Sequence, residues 1–538
     1  MADESDRERT WGRALLELAG IALVFAASGA WPVPDVNEAV YVPKARHLAD
    51  PAWAAGDFFL EAPDAHGVFS LVFGPLAAAV PLETAAWIGR VAGWLALAAG
   101  FRHAVSPLVA GTLPRLAAAA MFALALRQTM AAGEWVIGGC EAKVFAWALV
   151  LAAFGDVARA GWLRAWVAAG AATAVHPIVG GWAMLAIAAT RGIAAWRGGS
   201  LELPRGPAAW LALAGGIAVA ACGVVPALGL NAGATTAERV QGAFIYVVER
   251  LPHHLLPRTF APGLVARHVL AVAVWWLLER VVPATPERRR IAALTGVAIA
   301  ISAAGWCIAW AEPLFPDVVP GLLRFYWFRL ADAVVPFALA VTAAAVLADD
   351  AACAAIAAGR SRWLRVAVAA ALVADVAAQS SHWPLPGRAG LVPRADSQVV
   401  ATEWREVCDW VRDHVPAGAR FLTPRGAATF TWRTGLAEVV SWKNSPQDAR
   451  SLIEWRRRFV DCFSRDGSLT MVERSTAAFG ATRLLEVAAR YGADHVIVPT
   501  AMACAEPLPF ERLFANAAYE VYRLPPAGVT GPRSASPP

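Results

Sequence analysis

Residues 68–82 read VFSLVFGPLAAAVPL, fifteen mostly apolar positions with Pro75 and Pro81 among them. A helix that crosses a bilayer needs about 20 such residues, so this stretch is read as an interfacial or re-entrant helix. The choice decides the topology, because counting it as a span would invert every later loop. With it excluded, one side of the membrane collects Arg7, Arg9, Arg13, Arg102, Arg115, Arg159, Arg164, Arg191, Arg197 and Arg205. The same side takes Arg280, Arg288 to Arg290, Arg360, Arg362 and Arg365, roughly twice the basic content of the other side. Positive charge gathers on the cytoplasmic side. The expected orientation is therefore N-terminus in and C-terminal portion out, as for a multi-pass protein of a bacterial inner membrane.

Composition agrees with a membrane protein. Of 538 residues, 58% are apolar and 17% charged, against roughly 45–50% and about 25% in soluble chains. The charge is uneven: 34 charged residues fall among the last 145 positions and 55 among the first 393. Eleven candidate spans follow, at 11–31, 84–101, 116–132, 142–157, 162–173, 178–195, 208–230, 264–278, 291–310, 325–347 and 363–378. All must be helical, since hydrocarbon cannot satisfy a bare backbone N–H or C=O. The first is too long for a secretory signal and reads as an uncleaved span.

The C-terminal portion alternates helical patterns at 399–414, 449–463 and 481–491 with strands at 420–423, 438–442, 495–499 and 519–524. The fold class is therefore mainly α: a polytopic membrane domain over 1–392 with a large first external loop, 32–83, then a small α/β extracytoplasmic domain over 393–525. The Pro/Gly/Ser-rich tail, 526–538, is expected to be disordered.

Several chemistries find no support. Only Lys44, Lys143 and Lys443 among 47 basic residues are lysines, and no basic block with interleaved aromatics points to nucleic acid. The seven cysteines form no CxxC and no zinc-spaced cluster. No P-loop, GxSxG or HExxH is present.

The stretch 32–67, PVPDVNEAVYVPKARHLADPAWAAGDFFLEAPDAHG, holds Asp35, Glu38, Asp50, Asp57, Glu61, Asp64 and His66 among aromatics Tyr41, Trp53, Phe58 and Phe59. One reading is a solvated loop. The other is a loop folded onto the bilayer, in which a partly desolvated carboxylate such as Asp35 or Glu38 serves as a general base.

A first span, an acidic pair in the following loop, Glu38-x-x-Tyr41-x-x-x-Ala45 and a later Gly-Asp57 with aromatics together resemble the GT-C superfamily of membrane glycosyltransferases. Protein O-mannosyltransferases and aminoarabinose lipid A transferases are members. The resemblance implies interfacial helices after the first span, a role for 68–82 of that kind, an arginine near the start of the next span (Arg90) and an external C-terminal α/β domain. It also implies a catalytic aspartate at position 37, where this chain has Asn37. Either Glu38 or Asp35 takes over, or the transferase chemistry is lost. The pattern Asn37-Glu38, Tyr41, Lys44, Asp57-Phe-Phe and Asp64-Ala-His66 also resembles uncharacterised bacterial membrane proteins, in which Asn at this position would be normal.

By the same resemblance the 133–143 loop supplies a second acidic residue, Glu134 or Glu141. Elsewhere the residues speak for themselves. Two arginines, Arg250 and Arg258, with His253 and His254 in ERLPHHLLPR (249–258) suit a lipid phosphate, since guanidinium forks pair with phosphate oxygens; contact with polar headgroups is the alternative. In RFYWFRLAD (324–332), Arg324 is the better phosphate candidate, and Arg329 and Asp332 can pair across one helical turn. Arg90 joins the phosphate group, and His176 is either a packing residue or a catalyst.

The expected function is transfer of a sugar from a polyprenyl-phosphate carrier to an extracytoplasmic lipid, glycan or protein acceptor, with membrane lipids as further partners. No cofactor is required; a divalent metal stays open, without support from the residues, and no metal ligands are assigned. The alternatives are a transporter or flippase, and a non-catalytic envelope assembly protein on the same scaffold.

Overall fold

The computed structural model describes residues 2–198, 206–357, 359–388, 390–502 and 507–526. The expected tail from 527 onward, together with Arg205, lies outside the described residues. All eleven expected spans are helices: Ala2–Gly29, Leu82–Val105, Thr112–Thr129, Ala142–Ala158, Trp162–Val175, Pro177–Trp196, Pro207–Gly229, Pro262–Leu278, Pro286–Trp310, Arg329–Ala348 and Ser361–Gln379. Seven are long and apolar enough by themselves to cross a membrane. The other four are limited by length or charge: Trp162–Val175 has only 14 residues, and Thr112–Thr129 carries Arg115 and Arg127.

The bundle packs through aromatic and small residues. Phe25, Phe101, Phe122 and Phe337 meet in its interior, with Phe101 and Phe122 stacked at 5.4 Å. At Gly180 a Cβ would collide with the backbone of Thr173, so only glycine lets these two helices touch. Arg127 pairs with Asp375 and bonds Ser28, which ties in the Ser361–Gln379 helix, no residue of which is buried.

The stretch that decides the topology forms Gly67–Ala79, a 13-residue helix, about 20 Å long at 1.5 Å per residue. It is too short to cross. It lies over a second short helix, Glu38–Ala49, so closely that a Cβ on Gly74 would stand 2.6 Å from the Ala45 carbonyl oxygen. Leu71 and Val72 point outward, while Phe69, Ser70 and Ala77 are buried.

The C-terminal portion holds a five-stranded sheet in the order β2-β1-β3-β5-β4. Strands β1 (Arg420–Leu422), β2 (Ala437–Glu438) and β3 (His495–Pro499) are parallel. β4 (Glu511–Ala515) and β5 (Tyr519–Arg523) add an antiparallel hairpin. The sequence reading misses β4, whose largely exposed residues show no apolar alternation. Helices Ala401–His414, Ala449–Phe463 and Gly480–Tyr491 cover the sheet. Gly492 at φ +67° closes the last of them in the left-handed conformation that glycine adopts without strain.

This portion does not keep its core to itself. Trp455, Phe459 and Leu484 share one apolar cluster with Ile245, Leu255, Val319 and Leu323 from the loops of the helical part. Residues 231–258 dock on it as well: Asn231 accepts from the Ala449 N–H at 2.7 Å, and Arg456 forks onto Glu249 at 2.7 and 2.9 Å.

Candidate active site

Between these loops and the C-terminal portion lies a cavity of about 890 Å³. Its apolar wall is the end of the Pro207–Gly229 helix, Val224, Ala227 and Leu228, followed by Leu230. Leu228 is 71% exposed, so this wall continues onto the surface that would meet lipid. The rest is polar. Eight basic side chains line it (Lys44, Lys143, Arg239, Arg250, Arg324, Arg329, Arg394 and Lys443) against three carboxylates, Asp35, Asp64 and Glu141.

Three of the cations are spoken for. Arg394 forks onto Asp35 with Nε 2.7 Å from Oδ1, Arg329 pairs with Glu134 at 2.6 Å, and Lys143 stands 3.8 Å from Glu141. The other five have no carboxylate partner among the described residues. They donate to neutral oxygens instead: Lys44 to the carbonyls of Phe59, Leu60 and Ala62, Arg239 to that of Asn231, Arg250 to those of Trp442 and Lys443, Arg324 to that of Gln447, and Lys443 to the Asn37 side chain. Withdrawal from water pulls the Lys44 and Lys443 pKa values down to about 8. Nearby carboxylates oppose this at Lys44, whereas the Arg250 guanidinium adds to it at Lys443. Unpaired charge away from water is costly, and an anion in the cavity would relieve it.

All three lysines of an arginine-rich chain thus line one cavity. That rarity is a signal the sequence reading passes over for Lys143 and Lys443. It also misses Arg394, Tyr246 and Tyr326, whereas Arg250, one of the two loop arginines it points to, does line the cavity. Arg250 ends a π-helical turn, Ile245–Arg250, a form common at functional sites and without a sequence signature. Tyr326 sits at φ +56°, a strained position for a non-glycine residue, and its hydroxyl meets that of Tyr246 at 2.8 Å.

The acidic candidates divide sharply. Glu38 is fully buried and takes four hydrogen bonds: Arg90 Nε and Nη2 at 2.6 Å, the Cys140 N–H at 2.7 Å and the Asp35 N–H at 2.7 Å. It does not line the cavity. Its geometry is that of an anchor. Arg90, bonded to Glu38 and the Trp31 carbonyl, is likewise fully buried and does not line the cavity. Glu134 is held by Arg329 and by Trp147 Nε1 at 2.8 Å, off the main cavity.

Glu141 is different. It lines the cavity, its Oε2 accepts from Asn37 Nδ2 at 2.7 Å, and burial raises its pKa against the pull of Lys143.

Other expectations shift too. Arg329 and Asp332 do not pair with each other. Asp332 instead accepts the backbone N–H groups of Ala131 and Ala132 at 2.8 Å, because the loop after the Thr112–Thr129 helix folds over it. Arg258 is exposed, paired with Glu312 and away from the cavity. Asp57 caps the short helix Phe58–Glu61 and accepts from Thr431 and the Glu438 N–H, which joins the first loop to the C-terminal portion.

His253 and His254 do line the cavity. The Ala132 carbonyl, 2.6 Å from His254 Nδ1, fixes the ring proton there, which leaves Nε2 no proton to donate. Burial lowers the His254 pKa to about 3 and that of His66 to about 4, so both are neutral. His66 and His176 face each other across the cavity wall with ring centroids 4.7 Å apart, and Tyr41 reaches His66 Nε2 at 3.4 Å. Among the described residues no three His, Cys, Asp or Glu side chains converge as a metal site.

Residues 402–462 match a family model described as a domain of unknown function, DUF6798. No curated protein matches the sequence. Among solved structures, the chain is similar to ArnT from Cupriavidus metallidurans bound to undecaprenyl phosphate, at 13% identity and a TM-score of 0.34. That likeness covers 98% of this chain and 99% of the other.

Proposed function

We propose that the protein is a membrane glycosyltransferase that moves a sugar from a polyprenyl-phosphate carrier to an acceptor hydroxyl on the extracytoplasmic side. The observation that carries this reading is the cavity with five cations lacking carboxylate partners and an apolar wall open toward lipid. An anionic headgroup suits the cations and an isoprenoid chain suits the wall. The resemblance of residues 35–59 to the GT-C pattern selects sugar transfer among the reactions of such a lipid.

Glu141 is the base. Its raised pKa brings it nearer to neutral pH, where a general base works best. It takes the acceptor's hydroxyl proton as the acceptor oxygen bonds the anomeric carbon. The bond from that carbon to the phosphate oxygen breaks, and polyprenyl phosphate leaves with its charge met by Arg324, Arg250 and Lys44. Asp35, clamped by Arg394, shapes the wall beside it.

The test is turnover of a panel of undecaprenyl-phosphate-linked hexoses and pentoses by purified protein, read as released undecaprenyl phosphate by lipid mass spectrometry. Glu141→Gln is expected to lower turnover by about 10²- to 10⁴-fold, the usual worth of a general base, while undecaprenyl phosphate still binds. Undiminished turnover in that variant, or no binding of undecaprenyl phosphate by the wild type, would overturn the reading.

A further inference from the structure

We infer that Lys443, carried to the cavity by the C-terminal α/β portion, is part of the carrier-phosphate site, and that Asn37 ties it to Glu141. The C-terminal portion then completes both the anion site and the base. This rests on the reading of the cavity given above; it assigns Lys443, which neither the motif nor the family pattern supplies, and gives Asn37 a positioning role.

The first observation is how residues 442–447 are held. They follow β2 and run over the cavity, with Lys443, Ser445, Pro446 and Gln447 in its wall. Arg250 Nε grips the Trp442 carbonyl at 3.0 Å and its guanidinium lies 4.8 Å from the Trp442 ring, while Arg324 Nη2 takes the Gln447 carbonyl at 3.0 Å. The acceptors are neutral, so the grip leaves the charges of Arg250 and Arg324 uncompensated. An arriving phosphate breaks no ion pair to reach them or Lys443.

The second observation is the polarity of Asn37. Lysine has only protons to offer, so the atom 3.0 Å from Lys443 Nζ is the amide oxygen. An ionised carboxylate has only lone pairs, so the atom 2.7 Å from Glu141 Oε2 is the amide nitrogen. Each contact fixes the amide in the orientation the other needs. On the far side Gly138 leaves room for the carboxylate, since a Cβ there would stand 2.8 Å from Glu141 Oε1.

An aspartate at 37 would put two carboxylates at that separation and make them share a proton. Asparagine spares Glu141 this competition. It also couples Glu141 to Lys443, because a phosphate that draws Lys443 toward itself weakens its bond to the amide.

The experiment measures binding of undecaprenyl phosphate, undecaprenol and inorganic phosphate to the full-length protein in detergent by native mass spectrometry and competition. Lys443→Met is expected to weaken undecaprenyl phosphate by about 10- to 100-fold, the scale of a lost charge-assisted hydrogen bond. Undecaprenol binding should stay within about twofold, which certifies the fold, and Lys443→Arg should retain most of the phosphate affinity.

Asn37 is a positioning residue, and its readout is the pH profile of dicyclohexylcarbodiimide labelling at Glu141, a reaction of the protonated acid. Asn37→Asp should move the labelling midpoint up by about one pH unit or more. If wild type binds undecaprenyl phosphate and Lys443→Met binds it equally well, the inference fails and the proposed function stands. If undecaprenyl phosphate binds no better than undecaprenol to the wild type, the anion site itself fails. A labelling profile unchanged by Asn37→Asp removes the coupling.

Discussion

The helical bundle carries charge at both ends and treats it in opposite ways. At the end away from the cavity, Glu17 is buried and takes bonds from Arg102 at 3.0 Å, Arg115 at 2.8 Å and Thr112 at 3.0 Å. Asp156 meets Arg164 at 3.0 Å, Arg159 and Arg290 donate to carbonyls in the last turn of the Ala142–Ala158 helix, Gly155 and Ala158, and Arg288 donates to the Leu108 carbonyl in the turn after the Leu82–Val105 helix. Cations there neutralise carboxylates or sit on the negative ends of helix dipoles. They finish the fold. At the cavity end the three carboxylates do not balance eight cations, and five donate only to neutral oxygens around a hollow. The difference teaches where to look for a ligand: charge left incomplete by the protein marks the site better than charge density alone.

Charges that the protein completes and charges that it leaves open should therefore fail differently when cut. Glu38→Ala strands Arg90 in a fully buried position, and losing one partner of a buried pair costs about 3–5 kcal/mol. Its thermal midpoint in detergent should fall more than that of any cavity-lining variant. Glu141→Gln, by contrast, keeps an oxygen for Asn37 and loosens only the longer 3.8 Å contact with Lys143, so it should lower the midpoint less while removing turnover. A stable Glu38→Ala would break the distinction between anchor and base. Glu17→Gln comes next, at about 1–3 kcal/mol for donors left without their charged acceptor. Undecaprenyl phosphate affinity should not change in it, since Glu17 lies at the opposite end.

Much of this was legible in the residues. The span positions, the short helix around Pro75 and the α/β character of the C-terminal portion follow from apolar run lengths and periodicity. Those signals are local, and the structure honours them. The candidate site was legible as a set of loops but not as a set of partners. Glu38 and Glu141 look alike in sequence, and only the fold delivers Arg90 to one and an amide to the other. Asn37 reads as a lost aspartate until Lys443, 406 positions away, is seen on its oxygen. Arg258 sits in the right loop but pairs with Glu312 and does not line the cavity. The usable signal was compositional: three lysines where arginine is otherwise the rule.

Two smaller effects sharpen the contrast through pH. Lys44 and Lys443 have pKa values near 8, so both are charged at pH 7 and lose protons above pH 8. Anion affinity should fall as pH rises from 7 to 9, by about tenfold or less because the bound phosphate itself holds the protons on. Surface pairs at the other end should add nothing to that profile.

The last effect concerns the joint between the first loop and the C-terminal portion. Burial, reinforced by nearby Asp57, raises the Glu438 pKa to about 7. Thr423 and Asn444 donate to its carboxyl at 2.9 Å each. A carboxyl whose folded pKa lies above its unfolded value stabilises the fold when protonated, fully so below the unfolded pKa. That contribution is lost as pH rises through about 7. The thermal midpoint should therefore decline between pH 5 and pH 7.5, and Glu438→Gln, which mimics the protonated acid, should flatten the decline and raise the midpoint at pH 7.5 by about 2 °C. If the variant instead keeps the wild-type slope, the proton belongs to Asp57, and Asp57→Asn is then the substitution that removes it.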